Sequence, residues 1–389
     1  MTGLDNVLAG VTVLDFGMNI AGPQSTSLLA DLGADVIKVE GPGGDTSRTM
    51  SPQRDGVSAM LAAMNRRKRY LGLDLRNPAS RPALTGLLEH ADVVVQNLRP
   101  GKAETLGIGA AQCHAINPRI VHVTIEAFYP AEESRPGYDL LVQAETGMMS
   151  LTGDPDRAPS RLPGSLLDHV TGLWAAFGIV AALRGPRDKT AITLTMSDIA
   201  MSLLGDRVTA HLLTGEVPTR MGSAIGTTTP LQAYPTADGD IVIGAASNEV
   251  FRRLAEVVAP ELVDDPDYAT QAARIAHRER LNELLVERFA KDTADAWLDR
   301  LDTAGVPTAR IRDLGEATVR HGTMSRTGFS PVADVPDMQL VANPLLGASA
   351  EALPRPGRIG ADSRDVLATL AGLSEDEIAQ LVGDRAADG

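Results

Sequence analysis

Cysteine, aromatic rings and basic charge are scarce in this chain of 389 residues. The single cysteine, Cys113, excludes an internal disulfide and a zinc site built on several thiolates. One lone thiol suits a reducing compartment, so the expectation is a cytoplasmic protein. Only 2 Trp, 5 Tyr and 6 Phe are present, too few to line a base-stacking groove. The 36 Lys and Arg are outnumbered by 50 Asp and Glu, and a net charge of -14 repels phosphate backbones and anionic membranes. Nucleic acid and membrane are therefore not expected partners. Asp5 and Asp15 interrupt the region where a secretory signal keeps an apolar block. The longest uncharged apolar stretch, residues 169–183, is short for a bilayer span and reads as part of a buried core helix.

Several motifs are missing as well. The first strand-to-helix turn reads GMNIAGP, without the G-x-G-x-x-G spacing of a dinucleotide site, although Glu40 stands where a ribose-binding acid would. No G-x-x-x-x-G-K-[ST] phosphate loop occurs, and no G-x-S-x-G elbow. None of the seven histidines forms an H-x-x-x-H or H-E-x-x-H pair, so no metal site is expected.

What is present is alternation. Short β-branched runs at 11–16, 35–39, 70–75, 92–96, 120–125 and 191–195 are separated by helical patterns at 23–33, 78–90, 138–150, 166–184 and 196–213. Strands alternating with helices imply an α/β, doubly wound (Rossmann-like) parallel sheet covered on both faces. Residues 214–239, rich in Gly, Thr and Pro, read as a linker leading to a smaller α/β domain. The expected organisation is 1–213 as the larger domain, 214–330 as linker and small domain, and 331–389 as a return to the first. Near the end, Ser374 and Glu377 have capping-box spacing ahead of an apolar run.

Four local features carry chemistry, each beside a plainer reading. Arg66 to Arg69 is the densest basic cluster, either a solvated loop or a cradle for phosphates. Asn97-Leu98-Arg99 leaves a strand at its carboxyl end, where open α/β sheets bind ligands, or is an ordinary turn. Asp168 opens an apolar helix, where free N–H groups and the dipole favour an anion; it is a cap or a functional carboxylate. Tyr138 and Asp139 open another helix, with the same two readings.

Taken together, VTVLDFGMNIAGP (11–23), LLADLGADVIKVE (28–40), NRRKRYLGLDL (65–75), ADVVVQNLRPG (91–101), RPGYDLLVQAETGMMSLTG (135–153) and LPGSLLDHVTGLWAAFGIVAAL (162–183) resemble the class III CoA-transferases, the carnitine dehydratase, bile-acid-inducible protein F and formyl-CoA transferase family. The resemblance implies an interlocked homodimer, with acyl-CoA and a small carboxylic acid as substrates. It implies Asp168 as catalytic nucleophile, attacking the donor thioester to form an acyl-aspartyl anhydride and then an aspartyl-CoA thioester. An Asp of ordinary pKa, about 3.9, would be ionised for this at neutral pH without a base. The positions matching the family's coenzyme A contacts are Ile20 and Ala21, Leu73 to Arg76 (with Asp74 and Leu75), Asn97 to Arg99 (with Leu98), and Tyr138 with Asp139. Lys68 and Arg69 match its basic pair. Gly41 and Thr105 stand where some members carry arginines toward CoA, and Ile20 replaces a polar residue.

Two other activities fit the same superfamily. A 2-methylacyl-CoA racemase would use a His in a G-H-D turn, and here Tyr138 occupies that place, a poor base at neutral pH. A non-catalytic CoA-binding homologue is the other alternative.

Overall fold

The computed structural model describes residues 3–129, 135–349, 351–384, 386 and 387. The chain forms two compact units, one of residues 1–146, 162–210 and 322–389 and another of 147–161 and 211–321.

In the first unit, β1 (Thr12–Asp15), α1 (Ala21–Asp31), β2 (Asp35–Glu40), β3 (Arg69–Gly72), α2 (Arg81–His90), β4 (Val93–Gln96), β5 (Val121–Glu126), α3 (Asp139–Glu145), α4 (Leu166–Arg184) and β6 (Ala191–Thr195) follow in order. The six strands pair in parallel in the order β3-β2-β1-β4-β5-β6. This is a doubly wound sheet whose order reverses between β1 and β4. Side-chain alternation sends Val13, Val36, Val93 and Val95 to one face, with α1 and α4. Leu14, Ile37, Leu71 and Val94 face the other, with α2 and the C-terminal helices. Both faces are dry, which explains why the central strands read as unbroken apolar runs. Each fully buried Leu or Val contributes roughly 1.5–3 kcal/mol.

The C-terminal segment lies along the open edge of β3. Tyr70 N–H donates to Asp362 Oδ2 at 2.7 Å, Gly72 N–H to Ser363 Oγ at 3.1 Å and Asp74 N–H to the Ala386 carbonyl at 2.8 Å. The Ser374–Glu377 capping box forms, starting the helix Glu375–Gly383. In the second unit, β7 (Leu231–Pro235), β8 (Asp240–Gly244) and β9 (Thr308–Arg310) make an antiparallel sheet in the order β9-β8-β7. Helix Asn248–Val258 and its neighbours cover it through Phe251, Leu254, Leu281, Phe289 and Trp297.

Four local readings change. The helix expected over 138–150 breaks at Gly147, whose φ of 82° is left-handed. The helix over 196–213 divides into Met196–Leu203 and Gly205–Thr214. β7 lies inside the stretch read as linker. The apolar helix α4 is 19 residues long, and by length and mean hydropathy (1.6) it matches a membrane span. It seats Leu167, Thr171, Gly172, Ala175 and Ile179 in the first unit, but Leu173 is 51% and Phe177 68% exposed. An all-round core helix is therefore corrected to one with a single buried face.

Candidate active site

Two regions of the first unit hold the candidate residues, and Asp168 is not among the residues lining the first. One is a cleft of about 320 Å3 at the carboxyl ends of β1 to β4. The other is the first turn of α4, which carries Asp168.

The turn itself is shaped by small residues. A Cβ on Gly17 would sit 2.9 Å from Pro23 Cδ and 3.0 Å from Gly22 Cα, so the chain folds back on itself only with glycine at that position. Pro23 lies in the first turn of α1, where no intrahelical hydrogen bond is lost. Asn97, at the end of β4, clamps this turn: Met18 N–H donates to Asn97 Oδ1 at 2.7 Å, and Asn97 Nδ2 donates to the Met18 carbonyl at 2.9 Å. Asp45 accepts from Asn19 N–H at 3.2 Å and from Lys38 Nζ at 2.8 Å, while Lys38 also donates to the Gly17 carbonyl. Ile20 and Ala21 are thus presented on a fixed backbone, both buried.

The cleft is lined by Phe16, Met18, Val39, Leu73, Leu75, Leu98, Leu106 and Ile108 on its apolar side. Gly41 and Gly43 also line it, and a Cβ on either would meet open space. Its charged rim contains Asp74, Arg76 and Lys102. Arg76 grips Asp74 through Nε and Nη2 at 2.8 and 3.0 Å. Lys102 was not singled out in the sequence. It stands one helical turn before Thr105, and that spacing is the signal that could have found it.

The expected basic cradle is not assembled. Lys68 Nζ is enclosed by Asp15 Oδ2 at 2.8 Å, Pro23 O at 2.9 Å, Asn65 Oδ1 at 3.0 Å and Met64 O at 3.1 Å. An ammonium has three donors, and none is left for a phosphate. Burial pushes its pKa down to about 8. Arg69 pairs with Asp35 and Asp365 at the amino end of β3, about 10–13 Å of strand away from Leu73. Arg66 binds Asp31 at 2.5 Å. Arg99 is exposed and is not among the lining residues, and Tyr138 is 64% exposed.

Asp168 and Asp139 do come together. Asp168 occupies the third position of α4, half-buried, and its carboxyl takes no hydrogen bond among the described residues. The capping alternative for Asp168 is therefore set aside. Burial, then the neighbouring Asp139 charge, push its pKa up from 3.8 to about 7. The expectation of an ordinary aspartate fails for that reason. Helix α4 reaches this place by packing tightly on α1: a Cβ on Gly172 would lie 2.9 Å from the Ala21 carbonyl and 2.8 Å from Gln24 Cγ. Gly172→Val is expected to cost about 1–3 kcal/mol in urea denaturation and to lower turnover, because the helix must lift off α1. An unchanged urea midpoint would show that the close approach is not required.

Comparison with known proteins finds relatives that match nearly the whole chain. The model of CoA-transferase family III matches residues 8–362. The succinyl-CoA–D-citramalate CoA-transferase of Chloroflexus aurantiacus is 34% identical, over 97% of this chain and 97% of its own. The acetyl-CoA:oxalate CoA-transferase of Acetobacter aceti is 33% identical over 82% of this chain and 84% of its own. The crystal structure of a CaiB/BaiF family protein from Brucella suis, 30% identical, superposes with a TM-score of 0.82 over 94% of this chain and 100% of that one. A parallel sheet wound 3-2-1-4-5-6, a cleft at its switch point and a family match across nearly the whole chain lead to one conclusion: the protein belongs to CoA-transferase family III.

Proposed function

We propose that the protein moves CoA from an acyl-CoA donor to a small carboxylic acid, with the Asp168 carboxylate as covalent carrier. The observation that carries this is the unpartnered, desolvated Asp168 carboxyl on the first turn of α4. A carboxylate stripped of hydrogen bonds is a stronger nucleophile than a solvated one. Asp168 Oδ attacks the thioester carbonyl, and CoA thiolate leaves as the mixed anhydride forms. The thiolate then attacks the Asp168 acyl carbon, releasing the donor acid and forming the aspartyl-CoA thioester. The acceptor carboxylate repeats both steps in reverse, so atoms and charge balance with no further reactant. The relatives act on succinyl-CoA or acetyl-CoA with citramalate or oxalate, and a small dicarboxylic acid is the acceptor class we carry over. The apolar cleft walls fit the pantetheine arm and adenine of CoA, with Arg76 and Lys102 facing its phosphates.

The test is to mix the protein with succinyl-CoA, quench with hydroxylamine and map the adduct by peptide mass spectrometry. A hydroxamate on Asp168 supports the reading. An unlabelled Asp168, together with exchange of an acyl-CoA α-proton in D2O without acceptor acid, replaces it with the racemase alternative.

A dimer belongs to the same proposal. Leu173, Trp174 and Phe177 stand exposed on α4, and helices Gly205–Thr214 and Leu314–Met324 have no buried residue. Faces of that kind are stable when a second copy covers them. Light scattering is expected to give twice the 41.0 kDa chain mass; a monomer at micromolar concentration counts against the interlocked pair.

A further inference from the structure

We infer that Asp139 is a positioning residue for the nucleophile: its carboxylate holds the first turn of α4 from outside the helix and sets the charge that Asp168 faces. This rests on Asp168 being the carrier, and it assigns Asp139 a place in the protein framework instead of a contact to CoA.

The geometry is a closed circuit. Ser165, the residue in the N-cap position of α4, makes no side-chain cap. Asp139 Oδ2 takes over, accepting Leu167 N–H at 2.9 Å and Asp168 N–H at 3.2 Å. Asp139 Oδ1 accepts from Gln143 Nε2, one turn along α3. Gln143 Oε1 in turn accepts Leu162 N–H at 2.9 Å. Asp139 is 6% exposed and Gln143 is fully buried. Both Asp139 oxygens are thus engaged by protein donors. A helix whose free N–H groups are held by another segment cannot fray at that end, and an unfrayed first turn fixes the Asp168 backbone.

The second half of the argument is charge. The titratable groups on elements packed against α4 are Asp31 on α1, His122 and Glu126 on β5, Asp139 and Glu145 on α3 and Asp198 on helix Met196–Leu203, with His169 on α4 itself; of these only Asp139 acts on Asp168. Asp198 bonds Thr195 Oγ1, and burial keeps His169 below its ordinary pKa and hence neutral at pH 7. Asp139 is the charge that acts on Asp168, adding to burial. A like charge nearby favours the protonated form. Transfer by the carboxylate therefore rises with pH through about 7 and is lost below it.

The experiment compares wild type, Asp139→Asn and Asp139→Ala. Two quantities are read: kcat from pH 5 to 9 with succinyl-CoA and D-citramalate, and the Asp168 carboxyl resonance in protein labelled with 13C at Asp Cγ, assigned by its absence from Asp168→Asn. Asparagine keeps an acceptor for the two N–H groups and removes the charge. Its midpoint is expected to fall by at least about half a pH unit in both readouts. Alanine leaves the N–H groups unpaired, and kcat is expected to fall on the order of 100-fold at every pH. An unmoved resonance midpoint in Asp139→Asn with unchanged kcat in Asp139→Ala overturns the inference. Retained transfer by Asp168→Ala instead overturns the carrier reading. The two failures are separable, because the resonance reports on Asp139 and Asp168 without turnover.

Discussion

Asp168→Ala is expected to abolish CoA transfer and to leave the protein folded. The expected loss in kcat is about 10³–10⁶-fold, the range seen when a covalent nucleophile is removed. Helix α4 does not depend on this side chain, since Asp139 caps it and the Asp168 carboxyl bonds nothing in the described chain. Removing it is therefore expected to stabilise the protein. The sign comes from linkage: an acid whose folded pKa is raised loses free energy on folding once pH passes its unfolded value, and the loss levels off above the folded value. A rise from 3.8 to about 7 corresponds, fully expressed, to about 4 kcal/mol. The carboxyl is only half-buried, so about 2 kcal/mol is the expected gain for Asp168→Asn at pH 8, falling to none near pH 4. A urea midpoint that rises at pH 8 alone, alongside lost activity, is the signature. Equal midpoints at both pH values would mean that the carboxyl is solvated and the nucleophile ordinary.

The second large effect is structural, and it concerns a residue that resembled a ligand contact. Lys68→Met is expected to destabilise the first unit by about 3–5 kcal/mol, because Asp15 is left as a buried charge with Lys38 at 4.0 Å as its remaining cation. Asn65 Oδ1 loses its donor at the same time, and the carbonyls of Pro23 and Met64 keep Thr26 Oγ1 and Ser27 Oγ. The fraction that folds is expected to bind CoA with unchanged affinity. Weaker CoA binding at full stability would return Lys68 to the phosphate role and contradict the geometry.

Lys68 also shows where sequence reading reached its limit. Arg66 to Arg69 form one cluster along the chain, and the fold sends them apart: Arg66 to Asp31, Lys68 inward to Asp15, Arg69 to Asp35. Their partners lie more than thirty residues away, where no local pattern points to them. The central strands were legible for the opposite reason. Val93 to Val95 are buried on both faces and form an unbroken apolar run, while Val121, Val123 and Ile125 alternate with His122 and Thr124. β7 escaped notice because LQAYP has Tyr234 as its one fully buried residue. Asp168 was legible as a candidate from its place at a helix start and its matched neighbourhood. Its raised pKa was not, because it comes first from burial in the folded chain and then from Asp139, twenty-nine positions upstream. The single-faced burial of α4 was hidden too, since an exposed apolar surface reads the same as a core.

The hydrogen bond from Leu162 to Gln143 has one more consequence. Residues 147–161 leave the first unit after Thr146, and the chain returns at Leu162. Gln143 and Leu162 therefore staple the two ends of an excursion at its base, just before Asp168. The stretch 147–161 belongs to the second unit, where Gly222 N–H donates to the Gly153 carbonyl at 3.0 Å and Arg220 Nε to the Asp154 carbonyl at 3.2 Å. A single glutamine thus ties the chain back to the sheet domain before Asp168, so strain in that stretch is not passed on to the first turn of α4.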